Sequence, residues 1–113
     1  MKKIDLHIHT KATISDSNFD FNIKALAEYV TQQEIDCIAI TNHNLFDLEQ
    51  FKLIISELNI KVLPGIEINL EKGHLLLISE NDELDDFNEK CLEVNKLITT
   101  PTEYLNLAQF KKI

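Results

Sequence analysis

The 113-residue sequence contains little glycine, proline or cysteine, and it is poor in positive charge. Two prolines and two glycines exclude a linker or a low-complexity segment. The 11 basic residues face 19 acidic ones, which gives a net charge of −8. No basic run exceeds two residues, so the chain lacks the cationic surface that binds nucleic-acid phosphates. We therefore expect contact with nucleic acid only in the context of a larger protein.

The sequence also lacks paired cysteines and long apolar runs. Cys37 and Cys91 lie far apart in apolar segments, which argues against a zinc-thiolate site and fits a reducing compartment. No apolar run reaches the length that spans a membrane. Lys2 and Lys3 are followed by Asp5 and two histidines, which is unlike a signal peptide. The prediction is a cytoplasmic protein without a membrane partner.

The length allows one domain, and 44% hydrophobic residues suffice for a core. The apolar periodicity predicts strands at 3–9, 35–41, 60–63 and 74–79, and helices at 21–33 and 83–98. A further helix has Asp47 as its cap, with Phe51, Ile54, Ile55 and Leu58 as its apolar stripe. The resulting order β-α-β-α-β-β-α-α predicts an α/β fold with a mainly parallel sheet.

Three local features refine this outline. Asp20 is the expected N-cap of the first helix. Pro64-Gly65 is expected to break the third strand before Ile66-Glu67-Ile68. The run from Thr100 to Glu103 has the pattern of a capping box with proline at the first helical position, so it predicts a fourth helix that runs to Ile113.

Four histidines and one glutamate lie at or near the ends of the apolar runs. His7 and His9 alternate on one face of the first strand, so their imidazoles can converge on one metal ion. His43 follows the second strand, at the end where α/β folds carry their sites. Glu67 lies between two isoleucines, and a buried carboxylate needs a partner such as a metal. His74 opens the fourth strand.

Each of these residues also has a plain structural interpretation. His7 and His9 could be solvated histidines on a sheet edge, and His43 could cap a helix or lie in a loop. Glu67 could occupy an exposed strand position, and a lone histidine such as His74 is more often structural than a ligand. The residues taken singly therefore leave both interpretations open.

The remaining acidic residues give weaker signals. Ser15-Asp16-Ser17 could form an Asx-turn, so Asp16 alone is a weak candidate ligand. Asp5 lies on the face of His7 and is expected to orient a ligand from behind. Asp82, Asp85 and Asp86 mark a helix start, where negative charge favours the helix dipole.

Taken together, the motifs Asp-Leu-His-Ile-His-Thr, Thr-Asn-His-Asn, Pro-Gly-Ile-Glu and His-Leu-Leu resemble the PHP (polymerase and histidinol phosphatase) domain family. The resemblance covers residues 3 to about 79. It is closest to the N-terminal PHP domain of large bacterial proteins in which an AAA-like or SMC-like ATPase region follows. The family fold implied is a distorted seven-stranded β/α (TIM-like) barrel with a trinuclear metal site at the strand C-termini.

The resemblance implies a metal-dependent phosphoesterase that hydrolyses phosphoric esters with metal-activated water. It places His7 and His9 on one ion and Glu67 as a bridge to a second ion, which His74 also holds. Asp16 and His43 would hold the third. The catalytic residues implied are Glu67, His7 and His9. The cofactors implied are divalent ions, zinc or manganese with iron as a further candidate, up to three in a complete domain.

The sequence departs from the family at several positions. Asn42 stands where aspartate is usual, which predicts weaker charge tuning near His43, and Ser17 stands where glycine is frequent. The family's later ligands, a histidine in a His-Pro-like motif and a final Asp-x-His, have no counterpart. We therefore expect residues 1–113 to be a partial PHP domain, the N-terminal portion of the barrel, with weakened metal binding and little hydrolysis.

Two further expectations follow from an incomplete barrel. Uncovered strand edges and apolar helix faces predict self-association. The alternative to an enzyme is a catalytically incomplete, PHP-derived binding or regulatory module of a larger ATPase-linked protein.

Overall fold

The computed structural model describes residues 2–11, 13 and 20–113. Its strands and helices follow the predicted alternation, with a short 3₁₀ turn at Asn81–Glu83. In chain order they are β1 (Ile4–Ile8), α1 (Ile23–Gln32), β2 (Cys37–Ile40), α2 (Leu48–Glu57), β3 (Lys61–Leu70), β4 (Gly73–Ile78), α3 (Leu84–Leu97) and α4 (Leu107–Lys112). The α/β class is therefore confirmed.

In the described part of the chain, the four strands form one sheet in the order β1-β2-β3-β4. β1 pairs parallel with β2 and β2 parallel with β3, whereas β3 and β4 form an antiparallel hairpin. The mainly parallel sheet is thus confirmed. Its curled shape is consistent with part of a β/α barrel, while the seven-stranded closure stays a prediction.

The expected break at Pro64-Gly65 is wrong, because both residues lie inside β3, a strand of ten residues. At this point a second strand joins β3: residues 61–64 pair with β2, and Gly65 to Leu70 pair with β4, while Glu67 is also bonded to the segment that follows β2. A side chain at Gly65 would place its Cβ 2.9 Å from the carbonyl oxygen of Ile40 and 3.1 Å from that of Leu77. The glycine therefore allows both β2 and β4 to approach β3 closely at this residue.

The core lies between the sheet and the helices that cover its apolar face. Ile38, Ile66 and Ile68 of the sheet are fully buried, with Phe51 and Ile54 of α2. Leu58 completes the stripe of α2, but Ile55 is 41% exposed, so its predicted place in that stripe is wrong. Phe51, Ile54 and Leu58 form the middle of the buried helix face, and Ile55 lies at its margin. On α3 the side chains of Phe87, Cys91 and Val94 are buried, and so is Ile98 directly after the helix.

The caps of the first two helices differ from each other in how well they were predicted. Asp47 caps α2, since its side chain accepts a hydrogen bond from the backbone N–H of Gln50. The cap of α1 is Asn22 and not Asp20, because the Asn22 side chain accepts from two N–H groups of the first turn. Phe21 precedes this cap and packs against the core, which leaves Asp20 outside the helix.

The fourth helix begins later than the Thr100–Glu103 pattern predicts. The Glu103 carboxylate instead accepts hydrogen bonds from the backbone and hydroxyl of Thr99. Leu105 then pairs with Leu70 of β3, which holds the segment extended. α4 begins after this contact, with a capping box formed by Asn106 and Gln109. The predicted capping box was therefore wrong because a sheet contact competes with the helix at this point.

Both cysteines are free thiols. Burial raises the pKa of the Cys91 thiol to about 12, so this residue stays protonated and acts as a core side chain. Among the residues described, no helix combines the length and the apolar composition needed to cross a membrane.

Candidate metal centre

The sheet topology places the predicted ligands at one edge. His9 directly follows β1, His43 lies three residues beyond β2, and Glu67 lies within β3 beside them. The backbone of Glu67 is bonded to the segment that follows β2, since its N–H donates to the carbonyl of Asn42 and its carbonyl accepts from the N–H of Asn44. The chain therefore holds Glu67 rigidly where the carboxyl ends of the parallel strands meet.

A bulge in β1 directs the first histidine. The pairing of β1 with β2 shifts between Asp5 and Ile8, so one extra residue of β1 opposes its partner. The N–H of His7 lies in this irregular stretch and donates to the Asp5 carboxylate at 3.2 Å, while the hydroxyl of Tyr29 donates to the other oxygen at 2.7 Å. Asp5 thus supports the backbone of His7, and bulges commonly re-aim a side chain in this way.

Three imidazoles approach one oxygen of the Glu67 carboxylate. The Nε2 atoms of His7 and His9 each lie 2.9 Å from Glu67 Oε1, and the Nδ1 atom of His43 lies 3.5 Å away. His74 contacts the other oxygen, with its Nδ1 atom 3.0 Å from Oε2. His74 reaches it across the hairpin, because it is paired with the residue two positions beyond Glu67.

The four rings form a continuous cluster with an inner and an outer part. Ring centroids are 5.1 Å apart for His7 and His9, 4.4 Å for His9 and His43, and 5.9 Å for His43 and His74. The side chains of His7 and His74 are 52% and 56% exposed, against 15% for His43 and 6% for Glu67. A ligand from solvent therefore reaches the buried carboxylate past His7 and His74.

The charge of Glu67 is balanced by its neighbours. Burial alone would raise the pKa of this carboxyl, but hydrogen bonds from His7 and His9 and the nearby charge of His43 hold the pKa below its ordinary value. Glu67 is therefore an ionised carboxylate in a largely dry position, which is the form that binds a metal ion.

The donor set fits a divalent ion. His7, His9 and Glu67 offer ligand atoms that all lie within 4.8 Å of one another. Two imidazoles and a carboxylate are a protein complement of catalytic zinc, with bonds near 2.1 Å that place tetrahedral donors about 3.4 Å apart. The observed 2.9 Å between nitrogen and oxygen differs from this by about half an ångström. Small side-chain rotations are therefore enough to admit an ion.

The other predicted site residues have mixed outcomes. Asp16 lies outside the described residues. Asp82, Asp85 and Asp86 lie in the 3₁₀ turn and the first turn of α3, as the helix-start interpretation predicts. The side chain of Asn42 bonds to Thr10 and Lys11, shortly after the end of β1.

Two residues near the site were missed from the sequence. Thr10 is buried directly after His9, and Gln50 in the first turn of α2 contacts it through both side-chain amide atoms. Their distance of 40 residues along the chain left no local signal. The clue was the motif itself, since Thr10 belongs to the Asp-Leu-His-Ile-His-Thr run.

Comparison with known families agrees with this geometry. The family model described as "PHP domain" matches residues 5–109, a span that includes all six predicted ligand positions. No curated protein matches the chain. PHP domains are metal-dependent phosphoesterases, and the cluster of imidazoles around Glu67 provides ligands for such a metal site. On the extent of this match, the chain belongs to the PHP domain family.

Proposed function

We propose that this chain carries the first part of the active site of a metal-dependent phosphoesterase. The observation that carries the proposal is the single buried carboxylate of Glu67, with histidines on both of its oxygens. A salt bridge to one histidine would satisfy a structural glutamate. Here four imidazoles lie around the one carboxylate of Glu67. Several nitrogen ligands next to an anionic oxygen ligand are the donor set of a metal site.

The roles of the residues follow from their atoms. His7 and His9 would hold a first divalent ion through Nε2, together with Glu67 Oε1. Glu67 Oε2 and His74 Nδ1 would begin a second position, so Glu67 would bridge the two. His43 and Asp16 are proposed for a third, as the family resemblance implies. Zinc, manganese and iron are the candidates.

The protein's own contribution is to hold the ligand atoms close together. In the metal-free chain Nε2 of His7 and of His9 donates to Glu67, so coordination would require each Nε2 to give up its proton, which leaves the neutral ring protonated on Nδ1. Glu67 supplies negative charge without drawing water into the site, because its side chain is 6% exposed. The exposed rings of His7 and His74 form the rim that a phosphate ester would pass. When bound, divalent ions activate water as the nucleophile and stabilise charge on phosphoryl oxygens.

One observation favours the alternative, a binding or regulatory module. Within the described residues, His7, His9 and Glu67 are the one group that offers three ligands to a single ion. The second position has Glu67 and His74, and two protein ligands hold an ion weakly. A chain that retains one ion but not two would bind a phosphate group without hydrolysing it efficiently. The enzyme would act on a phosphate ester, and the binding module would belong to a larger ATPase-linked protein.

The test compares two glutamate variants of the purified chain. Glu67→Gln keeps the shape of the side chain but removes its charge, while Glu71→Gln removes a charge from an exposed position on the neighbouring hairpin turn. Zinc, manganese and iron content is measured after purification, followed by titration of the metal-free protein with zinc and manganese. We expect Glu67→Gln to lose bound metal and Glu71→Gln to retain it.

The same samples are assayed with a chromogenic phosphodiester and a chromogenic phosphomonoester. Turnover that depends on added metal and disappears in Glu67→Gln supports the enzyme. Tight metal binding with no turnover supports the binding module. Metal content near zero in the unaltered chain, with no binding on titration, would remove the basis of both.

A further inference from the structure

The residue after His9 has every polar group bonded within the protein. Thr10 is 1% exposed, and its N–H donates to Asn42 Oδ1 at 2.7 Å. Its carbonyl accepts from Gln50 Nε2 at 2.9 Å. Its hydroxyl donates to Gln50 Oε1 at 2.5 Å and accepts from Asn42 Nδ2 at 3.2 Å. We call Thr10, Asn42 and Gln50 the Thr10 clamp.

The clamp is connected to two regular elements. Asn42 follows β2 and also accepts from the N–H of Lys11 at 2.9 Å. Gln50 lies in the first turn of α2, where its own N–H donates to the capping residue Asp47 at 3.0 Å. The Lys11 ammonium lies 2.6 Å from the other oxygen of Asp47. The chain after His9 is thus fixed to the end of β2 and to the start of α2.

β1 needs such support more than the inner strands do. It lies at the edge of the described sheet, where one side of its backbone has no neighbouring strand. Its pairing with β2 is interrupted by the bulge between Asp5 and Ile8. His7 and His9 therefore extend from a strand with few ladder hydrogen bonds, although their Nε2 atoms must stay within a few tenths of an ångström of a shared position.

We propose that Asn42 and Gln50, acting through Thr10, are positioning residues that hold the His9 imidazole against Glu67 in readiness for the metal. This inference rests on the proposed metal site and adds residues that do not touch the ion. Outer residues that orient metal ligands typically contribute a factor of 10–100 to metal affinity. The clamp reaches His9 through the backbone, and we assign it the lower end of this range.

The clamp also explains why asparagine suits position 42. The Thr10 hydroxyl gives its one proton to Gln50, so the atom of residue 42 that faces this hydroxyl must be a donor. Asn42 supplies that donor and still accepts from two backbone N–H groups. Aspartate has two acceptor oxygens, so it would require the hydroxyl proton to leave Gln50. The neutral amide is therefore the matching partner for the Thr10 hydroxyl.

The test uses two changes at Thr10, of which the first is isosteric. Thr10→Val keeps the shape of the side chain but removes the hydroxyl that bonds to the Asn42 and Gln50 amides, whereas Thr10→Ser keeps the hydroxyl. Gln50→Ala serves as a second variant should Thr10→Val fail to fold. Val94→Ala is the stability control, because Val94 is buried on α3 behind the opposite face of β3. The unfolding temperature of each variant is measured first.

Two readouts separate positioning from general destabilisation. The first is the nuclear Overhauser effect between the His9 and His43 rings of the metal-free chain, whose centroids are 4.4 Å apart. The second is zinc affinity well below the unfolding temperature. We expect Thr10→Val or Gln50→Ala to weaken the ring contact and to lower zinc affinity about tenfold. Thr10→Ser and Val94→Ala should keep both, even though Val94→Ala unfolds at a lower temperature.

The outcomes distinguish this inference from the proposed function. Unchanged ring contacts and affinity in the clamp variants overturn the inference, while metal binding by the unaltered chain still supports the function. If Val94→Ala loses affinity as much as Thr10→Val does, the clamp acts through stability alone and the inference is also overturned. A ring contact that depends on the clamp in a chain that binds no zinc supports the positioning of His9 and overturns the proposed function.

Discussion

The two oxygens of the Glu67 carboxylate have unequal surroundings. Oε1 is approached by His7, His9 and His43, which come from the ends of the parallel strands β1 and β2. Oε2 is approached by His74 from the antiparallel hairpin, and His74 is 56% exposed. The Oε1 side therefore has three nitrogen donors in the described residues, and the Oε2 side has one.

The difference shows how each side depends on topology. The carboxyl ends of parallel strands meet at one edge, so ligands distant in the sequence converge there without long connections. The hairpin contributes through a diagonal cross-strand contact, which brings in one residue of β4. The Oε1 side should consequently bind the first ion, and the Oε2 side should bind a second ion more weakly.

Replacing both His7 and His9 should remove metal binding on the Oε1 side of Glu67. For the double variant His7→Ala, His9→Ala we expect zinc affinity to fall by at least about a hundredfold, because direct ligands contribute more than the outer residues that orient them. Competition with a zinc-binding dye measures this loss. An affinity loss no greater than that caused by His74→Ala would show that the two sides are equivalent.

Gly65→Ala should disturb β3 at the residue where both β2 and β4 lie close to it. The new Cβ would meet Thr41 Cγ2 at 2.8 Å and backbone oxygens at 2.9 and 3.1 Å, and the backbone cannot move aside easily. We expect the free energy of unfolding to fall by about 1–3 kcal/mol, as overpacking typically costs. Urea unfolding of the metal-free chain measures it. A change near zero would mean that β2 and β4 can separate at Gly65 without loss of packing.

His74→Ala should affect the Oε2 side and spare the first ion. We expect the affinity for the first zinc to fall by less than about tenfold, since His74 does not contact Oε1 and acts on it through the shared carboxylate. Binding of a second equivalent should disappear. Isothermal titration of the variant beside the unaltered chain separates the two steps. Loss of the first step would contradict the assignment.

The smallest effect concerns Asp47, which supports the Oε1 side through Gln50 and Lys11. Partial burial would raise its pKa, but hydrogen bonds from the Lys11 ammonium and from backbone N–H groups hold the pKa below the ordinary value of 3.8. This contribution to stability is present above pH 3.8 and is lost as the pH falls through the lower folded-state pKa. Asp47→Ala should cost about 1 kcal/mol at neutral pH, as loss of an N-cap does.

Asp47→Asn is the matched control for the charge. It can still accept the capping hydrogen bond from Gln50, so we expect it to be more stable than Asp47→Ala at neutral pH. Its stability relative to the unaltered chain should become equal in acid, where Asp47 is protonated. Thermal unfolding across this pH range checks the prediction. A difference that persists unchanged in acid would exclude the charge as its cause.

Much of the fold could be predicted from local patterns. The strands and the three longer helices have clear apolar periodicity, and Asp47 was recognisable as a cap. The errors arose where distant parts of the chain compete with a local signal. Pro64-Gly65 reads as a break, but β4 and β2 both pair with β3 there. The Thr100–Glu103 pattern reads as a helix start, but Leu105 pairs with β3 first.

The candidate site was predictable as a set of residues and not as a geometry. The strand ends indicated where His9, His43 and Glu67 would lie, and the family resemblance implied their roles, which stay predictions. Which imidazole would meet which oxygen of Glu67 depends on sheet register and on the bulge in β1, which have no short-range signal. Metal identity, self-association and a cytoplasmic location stay predictions.

The most direct test of the unequal sides is a zinc titration of the metal-free chain followed through its imidazole nitrogens. Long-range proton–nitrogen spectra resolve the four histidines as zinc is added up to two equivalents. The account predicts that Nε2 of His7 and His9 shifts during the first equivalent, while Nδ1 of His74 shifts during the second. Simultaneous shifts of His7, His9 and His74 from the first addition, or binding through Nδ1 of His7 and His9, would contradict it.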